Sequence, residues 1–240
     1  MKKLLALLLV LSLLLVGCGG GKSETEVAGK VEPGTEAPTE SDAAEAPAAA
    51  EETPVTMGRL EGGSYINEYA GYACDLDSSW TFYSAEELQE LPENVKELIA
   101  GTELGDTIDE VPQFTDMMAE NVNEMVTVNV LYQKHTMEER LVYAMMSDEQ
   151  ILEETLKLKD TMIEAYAQAG MDVQSMEMIT VNFLGQERAA LKTVSDVQGM
   201  AQYTLQVFDY HLGQYSVTLT ATSFIEDNTQ WVLDQFYSVN

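Results

Sequence analysis

Carboxylates are the side chains of this sequence with the most chemical potential, because 41 of its 240 residues are acidic and 12 are basic. Paired carboxylates act as general acids and bases, and clusters of them bind calcium. Clusters occur at Asp75 and Asp77, at Glu153 and Glu154, and between Glu103 and Glu110. With about one residue in six acidic, clusters of this kind arise by chance, so a solvated surface is the favoured interpretation.

Calcium binding is the alternative to a solvated surface. None of the clusters matches the Asp-x-Asp-x-Asp-Gly loop of an EF-hand. If a site exists, its first candidates are the carboxylates beside Gly105, namely Glu103, Asp106, Asp109 and Glu110. We expect no other cofactor.

Nucleophilic catalysis requires a serine or cysteine beside a histidine base. His135 and His211 are the two histidines, each at the end of a strand-like run, and the sequence has no Gly-x-Ser-x-Gly elbow. Both are interpreted as loop or edge histidines. Cys74 alternates in phase with Tyr72 and Leu76, which predicts a buried and inert thiol. The sequence therefore favours a protein that is not an enzyme.

Charge and cysteine content exclude several other classes. A formal net charge of −29 repels nucleic acids and anionic bilayers. Two cysteines cannot build a disulfide framework or a four-thiolate zinc site. A folded domain of this charge favours a cationic partner or a metal ion.

The amino-terminal segment has the pattern of an export signal. Lys2 and Lys3 precede an apolar run from Leu4 to Val16, which is shorter than the roughly 20 residues needed to span a bilayer and predicts a signal peptide over residues 1–17. The segment ends in Leu15-Val16-Gly17-Cys18, which resembles the lipobox of bacterial lipoproteins. The resemblance implies cleavage before Cys18 and acylation of its thiol, for example with palmitate.

Acylation has a direct physical consequence for location. One acyl chain binds a membrane reversibly, whereas two or more hold stably. We therefore expect the chain to be anchored at Cys18 on the outer face of the bacterial cytoplasmic membrane, without spanning it.

A linker follows the predicted anchor. Residues 19–56 contain no aromatic residue, Leu or Ile, and they carry nine acidic residues against Lys22 and Lys30. This composition is typical of a disordered, self-repelling chain. All 19 aromatic residues lie at or after Tyr65. The sequence thus predicts a tether over residues 18–59 and a single folded domain over residues 60–240.

The predicted elements of the domain are short helices and antiparallel strands. Capping boxes begin helices at Ser84, Thr136 and Ser147, and Pro92 begins another helix that ends at Gly101. The helix from Ser147 is the longest, running to Ala169. A hairpin is expected from the strands Phe114–Glu120 and Met125–Gln133. A later meander with glycine turns is expected from the strands Met176–Leu184, Glu187–Ser195, Met200–His211 and Tyr215–Thr222. A final helix is expected over Ile225–Tyr237. This order predicts an α+β fold.

The order of elements, and several segments, resemble the PsbP-like (Mog1/PsbP) family of α/β/α sandwiches, especially small lipoproteins of Gram-positive anaerobes. The matching segments extend over residues 64–238 and include Tyr65 to Tyr69, Gly71 to Leu76 before Trp80, Asp116 to Ala119, Val181 to Glu187, and Thr218 to Phe224. Cys74 departs from the larger apolar residue that relatives tend to show. The resemblance implies an α/β/α sandwich with a mainly antiparallel sheet, and it implies binding rather than catalysis, because the better-known members are accessory or adaptor proteins.

The sequence therefore predicts an extracytoplasmic lipoprotein that binds an envelope protein or a small ligand, with no role for nucleic acid. Two alternatives remain. A metal-dependent enzyme or hydrolase requires a pocket where His135 or His211 meets carboxylates with shifted pKa values. A structural spacer predicts that the domain has no concave site and no large exposed apolar patch.

Overall fold

The structure is a computed structural model that describes residues 56–89, 91 and 113–239. Two sequence-based predictions lie outside these residues: the signal peptide with Cys18, and the acidic loop carrying Glu103, Asp106, Asp109 and Glu110. The helix predicted from Pro92 to Gly101 also lies outside them. Within the described residues, no helix has the length and apolarity needed to cross a bilayer.

A seven-stranded antiparallel sheet is the centre of the domain, and its strand order is β4-β5-β6-β10-β9-β8-β7. The predicted hairpin is β5 with β6, and the predicted meander is β7 to β10. The meander strands are longer than predicted at most of their ends. The strands are β4 (Thr81–Phe82), β5 (Gln113–Asn121), β6 (Val126–Lys134), β7 (Met171–Phe183), β8 (Gln186–Val197), β9 (Met200–Leu212) and β10 (Tyr215–Phe224).

A second, four-stranded sheet packs over the large one, in the order β1-β2-β3-β11. Its strands are β1 (Arg59–Glu61), β2 (Ser64–Asn67), β3 (Tyr72–Asp75) and β11 (Phe236–Ser238). The last strand pairs with β3, with Phe236 opposite Cys74. The two ends of the described domain therefore meet in one sheet.

The helices begin where the capping boxes predict. Helical residues 85–89 (α1) follow Ser84, whose backbone N–H donates to Glu87 at 2.7 Å. Thr136 and Ser147 make the same reciprocal bonds ahead of α2 and α3. The remaining helices are α2 (Met137–Tyr143), α3 (Asp148–Leu156), α4 (Lys159–Gln168) and α5 (Thr229–Leu233).

The single long helix predicted from Ser147 to Ala169 is wrong, because two helices occupy this stretch. The break lies at Lys157 and Leu158, where the Leu158 N–H donates to Thr155 O in a tight turn. The Thr155 hydroxyl also donates to Ile151 O at 2.9 Å, and hydroxyl bonds of this type bend helices. The break lets α3 contact β7, β8 and β9 while α4 packs along β7.

The final helix predicted from Ile225 to Tyr237 is also wrong in extent. Only Thr229–Leu233 is helical. Ile225 has a φ of 70°, a left-handed conformation that a β-branched residue adopts at a cost and that excludes it from a helix. Phe236 instead enters β11, where it is buried against the large sheet.

The two faces of the large sheet bury two separate cores. The first core lies under α3 and α4, which contribute Leu152, Met162 and Tyr166 to it. The second core lies under the small sheet and α5, which contribute Tyr65, Cys74, Val232 and Phe236, and it also includes Trp80 from the segment before β4. Helices thus flank both faces of a mainly antiparallel sheet, which confirms the predicted α+β fold class.

Candidate functional site

His135 follows the end of β6 in a loop, as predicted, and it is buried. It is 5% exposed, and its ring packs edge-on against Tyr143 with centroids 4.9 Å apart. Burial lowers the pKa of the imidazole, while the nearby Glu139 carboxylate opposes this effect. Neither ring nitrogen of His135 makes a hydrogen bond. His211 lies in β9, and its side chain is outside the described residues.

Cys74 lies in β3 with no exposed surface. Burial raises the pKa of its thiol to about 12, so the reactive thiolate is scarce near neutral pH. Tyr72 and Leu76 are buried as well. The structure confirms the predicted buried environment of Cys74.

The acidic residues that the structure describes do not form a metal site. Among these residues, no group of three or more His, Cys, Asp or Glu side chains is close enough to bind a metal ion. Asp77 is exposed and accepts hydrogen bonds from both the hydroxyl and the backbone N–H of Ser79, which lower its pKa. Glu154 pairs with Lys157 on the surface of the helical region.

Sequence analysis missed Asp116 as a buried carboxylate. It lies in β5 at a β-bulge between Thr115 and Met117, and it is 8% exposed. Its Oδ2 accepts the Tyr65 hydroxyl at 2.5 Å and the Asn67 Nδ2 at 3.0 Å. Burial raises the pKa of Asp116, and these hydrogen bonds partly offset the effect. The signal in the sequence that could have indicated its burial is that Asp116 is a single acidic residue directly before the apolar residues Met117 to Ala119.

Asp116 also holds the start of the folded chain. The Gly58 N–H donates to both carboxylate oxygens, at 3.1 and 3.0 Å. The network continues through Asn67, whose Nδ2 also donates to Tyr132 Oη at 2.7 Å. The oxygens of Asp116 already accept hydrogen bonds from three donors, so this carboxylate has a structural role rather than that of a general base. We call Asp116 and its donors Gly58, Tyr65 and Asn67 the clasp.

A row of neutral polar side chains lies on the sheet face that α3 and α4 also occupy. In β6 the apolar residues belong to the second core, so the residues between them point to the opposite face. Asn129 is opposite Thr220 of β10, and Thr220 is in turn opposite Gln206 of β9. We call this surface the polar face, and its buried members are Thr127, Asn129, Gln133, Thr193, Ser195, Gln202, Thr204, Gln206, Ser216, Thr218, Thr220 and Thr222.

The polar face has unusual hydrogen bonding. Ser195 donates to Gln202 Oε1 at 3.2 Å, and Gln206 Nε2 donates to Thr220 at 3.5 Å. Many other buried atoms of the face have no partner: both amide atoms of Asn129, the hydroxyls of Thr127, Thr193, Ser216 and Thr222, Gln133 Oε1, Gln202 Nε2 and Gln206 Oε1. A buried polar group without a hydrogen bond costs about 1–3 kcal/mol. The unpartnered amides and hydroxyls of the polar face are therefore available for hydrogen bonds with another molecule.

The composition of the polar face restricts what that molecule can be. Its members are amides and hydroxyls, which both donate and accept hydrogen bonds, and none is ionisable. Glu120 borders the face opposite Thr127 and accepts a bond from the Tyr83 hydroxyl. Because none of the members carries a charge, a charged ligand buried among them would lack a counter-ion within the face, which is costly. The polar face consequently suits a neutral ligand with both donors and acceptors.

A separate groove of about 380 Å³ lies beside the N-terminus of α3, lined by residues of α3, β7 and β8 that include Arg188. Arg188 donates to Asp148 Oδ2 and to Phe208 O, both at 2.8 Å. Its guanidinium thus ties α3 to the large sheet.

No protein family profile matches the chain, and no curated protein matches it. Among solved structures, the chain is similar to the solution structure of cyanobacterial PsbP (CyanoP) from Synechocystis sp. PCC 6803, with a TM-score of 0.40 and 10% sequence identity. The match covers 80% of this chain and 99% of that chain.

Proposed function

We propose that the chain is a lipid-anchored lipoprotein of the PsbP-like type on the outer face of the bacterial cytoplasmic membrane. We further propose that its domain is a non-catalytic binding module. The polar face carries this proposal, because unsatisfied buried amides and hydroxyls lower stability and are retained where they serve binding. The Leu15-Val16-Gly17-Cys18 pattern supports the anchor, and the composition of residues 19–56 supports a tether between anchor and domain.

The unpartnered atoms of the polar face are buried, so ligand binding there requires local opening of the domain. Opening of this type is usual for binding proteins, which draw their mobile elements from regions of low local stability. The ligand that fits is a small neutral molecule with both donors and acceptors. An enzymatic function has less support, because His135 makes no contact with a nucleophile.

The anchor is tested by labelling cells with palmitate and separating their membranes. We expect the wild-type chain and Cys74→Ala to be labelled and to sediment with membranes. Cys18→Ser should lose the label and leave the membrane fraction. Labelling that survives in Cys18→Ser would contradict the proposed anchor.

Ligand binding is tested on the full chain, extracted from its own membranes in a neutral detergent. The protein is denatured, and the small molecules that it releases are compared by mass spectrometry between wild type and Asn129→Leu. We expect the wild type to release a neutral compound in stoichiometric amount, and Asn129→Leu to release none while unfolding at the same or a higher urea concentration. A wild-type chain without such a compound, or a strong loss of stability in Asn129→Leu, would mean that the polar face is structural.

A further inference from the structure

The two tryptophans of the chain stack on each other at the surface of the domain. The ring centroids of Trp80 and Trp231 are 6.0 Å apart, and their planes are inclined by 24°. Trp80 belongs to the second core and is 8% exposed, whereas Trp231 is 42% exposed. One indole is therefore a buried support, and the other presents its surface to solvent.

The segment around Trp231 is held firmly. Its neighbours Val232 and Leu233 are buried in the second core. Gln230 Nε2 donates to Asn182 O at 3.0 Å, and Gln235 Nε2 donates to Trp231 O at 3.0 Å. An aromatic side chain fixed before binding loses little conformational entropy on contact, which is why tryptophan is enriched among the residues that dominate binding energy.

The surroundings of the stacked pair are acidic. Residues 72–82 and 224–239, which supply both tryptophans, contain five acidic residues and no basic residue: Asp75, Asp77, Glu226, Asp227 and Asp234. Lys192 approaches this region from β8, but its Nζ is bound to Asp227 Oδ2 at 2.5 Å and to Thr229 Oγ1 at 2.8 Å. The charge of Lys192 is thus already paired.

A second exposed aromatic ring extends the same outer layer. Tyr237 of β11 is 43% exposed, and its hydroxyl donates to Asp75 Oδ1 at 3.2 Å. Its neighbour Phe236 points the other way, into the second core. The layer made of α5 and the small sheet therefore presents aromatic rings and carboxylates together.

We propose that the stacked Trp80–Trp231 pair is a docking surface for a lysine- or arginine-rich segment of a partner protein. A cation over an indole face is attracted by the ring quadrupole, and the carboxylates nearby add a Coulombic attraction. Charge complementarity selects this partner over others. From Arg59 onward the chain carries 32 acidic and eight basic residues, so anionic partners are repelled.

The two tryptophans make the test direct, because the intrinsic tryptophan fluorescence of the whole chain comes from this pair alone. The full chain in neutral detergent is titrated with octalysine and, as a matched control, with octaglutamate. We expect a saturable change in emission with octalysine only. The affinity should fall at least tenfold between low salt and about 0.5 M NaCl, where the Debye length is only a few ångströms.

Variants separate docking on the indole from general attraction to an acidic protein. Calorimetry should show that Trp231→Leu weakens octalysine binding roughly tenfold, and that Trp231→Phe retains an intermediate affinity. Met145→Ala, at an exposed apolar residue beyond α2, should leave it unchanged. Near-ultraviolet circular dichroism and urea unfolding check that the variants are folded.

Two results would overturn this docking surface: octalysine that fails to saturate, and equal binding by wild type and Trp231→Leu. Asn129→Leu, which alters the polar face on the opposite side of the sheet, should bind octalysine as the wild type does. The docking surface and the proposed ligand site can therefore fail independently.

Discussion

Gly58 and Asp116 are joined across 58 positions of sequence, with the glycine N–H donating to both oxygens of the carboxylate. This bond fixes the point where the chain enters the domain. A Cβ atom on Gly58 would lie 2.2 Å from Cε2 of Tyr65, so only glycine fits beside the clasp. The entry point is thus defined by a carboxylate that also orders Tyr65 and Asn67.

The first prediction concerns this clasp. Asp116→Asn replaces one acceptor oxygen with an amide N–H donor that faces the donors of Gly58, Tyr65 and Asn67, and we expect the free energy of unfolding to fall by about 1–3 kcal/mol. Gly58→Ala should be destabilising too, because Tyr65 must move. Urea unfolding measures both changes. Asp160→Asn is the matched control at an exposed acid, and a loss of equal size there would exclude a specific role for the clasp.

The second prediction concerns the pH dependence of stability that Asp116 contributes. Burial raises the pKa of Asp116 in the folded state above its value of 3.8 in the unfolded chain. Between these two pKa values the folded state binds more protons, so this contribution to stability is present at low pH and is lost as pH rises through the folded pKa. Wild type should therefore gain stability relative to Asp116→Asn as pH is lowered from 7 towards 4. Urea midpoints across this range measure the difference, and parallel curves would contradict the assignment.

The third prediction concerns His135. Burial lowers the pKa of its imidazole below 6.5, so the unfolded state binds a proton more readily than the folded state. The contribution of His135 to stability is fully present above pH 6.5 and decreases as pH falls through the window below it. His135→Phe keeps the packing against Tyr143 and should remove this loss of stability at low pH. Thermal melting at pH 7 and pH 5.5 is the measurement, and an identical pH dependence in the variant would contradict it.

The fourth prediction concerns the polar face. Thr222→Val replaces an unpartnered buried hydroxyl with a methyl group of similar shape, so we expect the melting temperature to rise, with a gain of roughly 0.5–1 kcal/mol. Thr155→Val is the matched control, because its hydroxyl is equally buried but bonded to Ile151 O. The control should lose stability. A loss in Thr222→Val as large as in the control would show that the Thr222 hydroxyl has a partner.

The fifth prediction concerns Cys74. Because its thiol is buried and its pKa is raised to about 12, the folded Cys18→Ser chain should not react with a thiol-specific disulfide reagent at pH 8. Adding urea should release one reactive thiol per chain. Rapid labelling of the Cys74 thiol without urea would contradict its burial in the second core.

Local signals in the sequence predicted most elements, while tertiary contacts decided their ends. The capping boxes at Ser84, Thr136 and Ser147 formed as expected, because reciprocal side-chain bonds depend only on spacing along the chain. The break after Leu156 was missed because the apolar stripe of the predicted helix continues past Thr155, whose hydroxyl bond to Ile151 O marks the bend. The strand at Phe236 was missed because it depends on pairing with a distant strand. Phe236 is extended because it pairs with Cys74.

The candidate site was less predictable than the fold. The polar face follows from the alternation in β10, where threonines alternate with Val217, Leu219 and Ala221. Sequence alone cannot show that the polar side of such a strand is buried, since that depends on which helices cover it. The acidic candidates Glu103, Asp106, Asp109 and Glu110 lie outside the described residues, so calcium binding there stays a prediction.

The pairing of β6 with β10 determines when the large sheet can be completed. Val126 of β6 is opposite Ser223 of β10. This pairing joins the first hairpin to the last strand of the meander, and its partners lie far apart in the sequence. Contacts of such high contact order form late, after local hairpins and helices. During vectorial synthesis, β6 keeps an open hydrogen-bonding edge until β10 has been made. We therefore expect folding of the chain to be limited by the pairing of β6 with β10, with β6 as its most aggregation-prone segment beforehand.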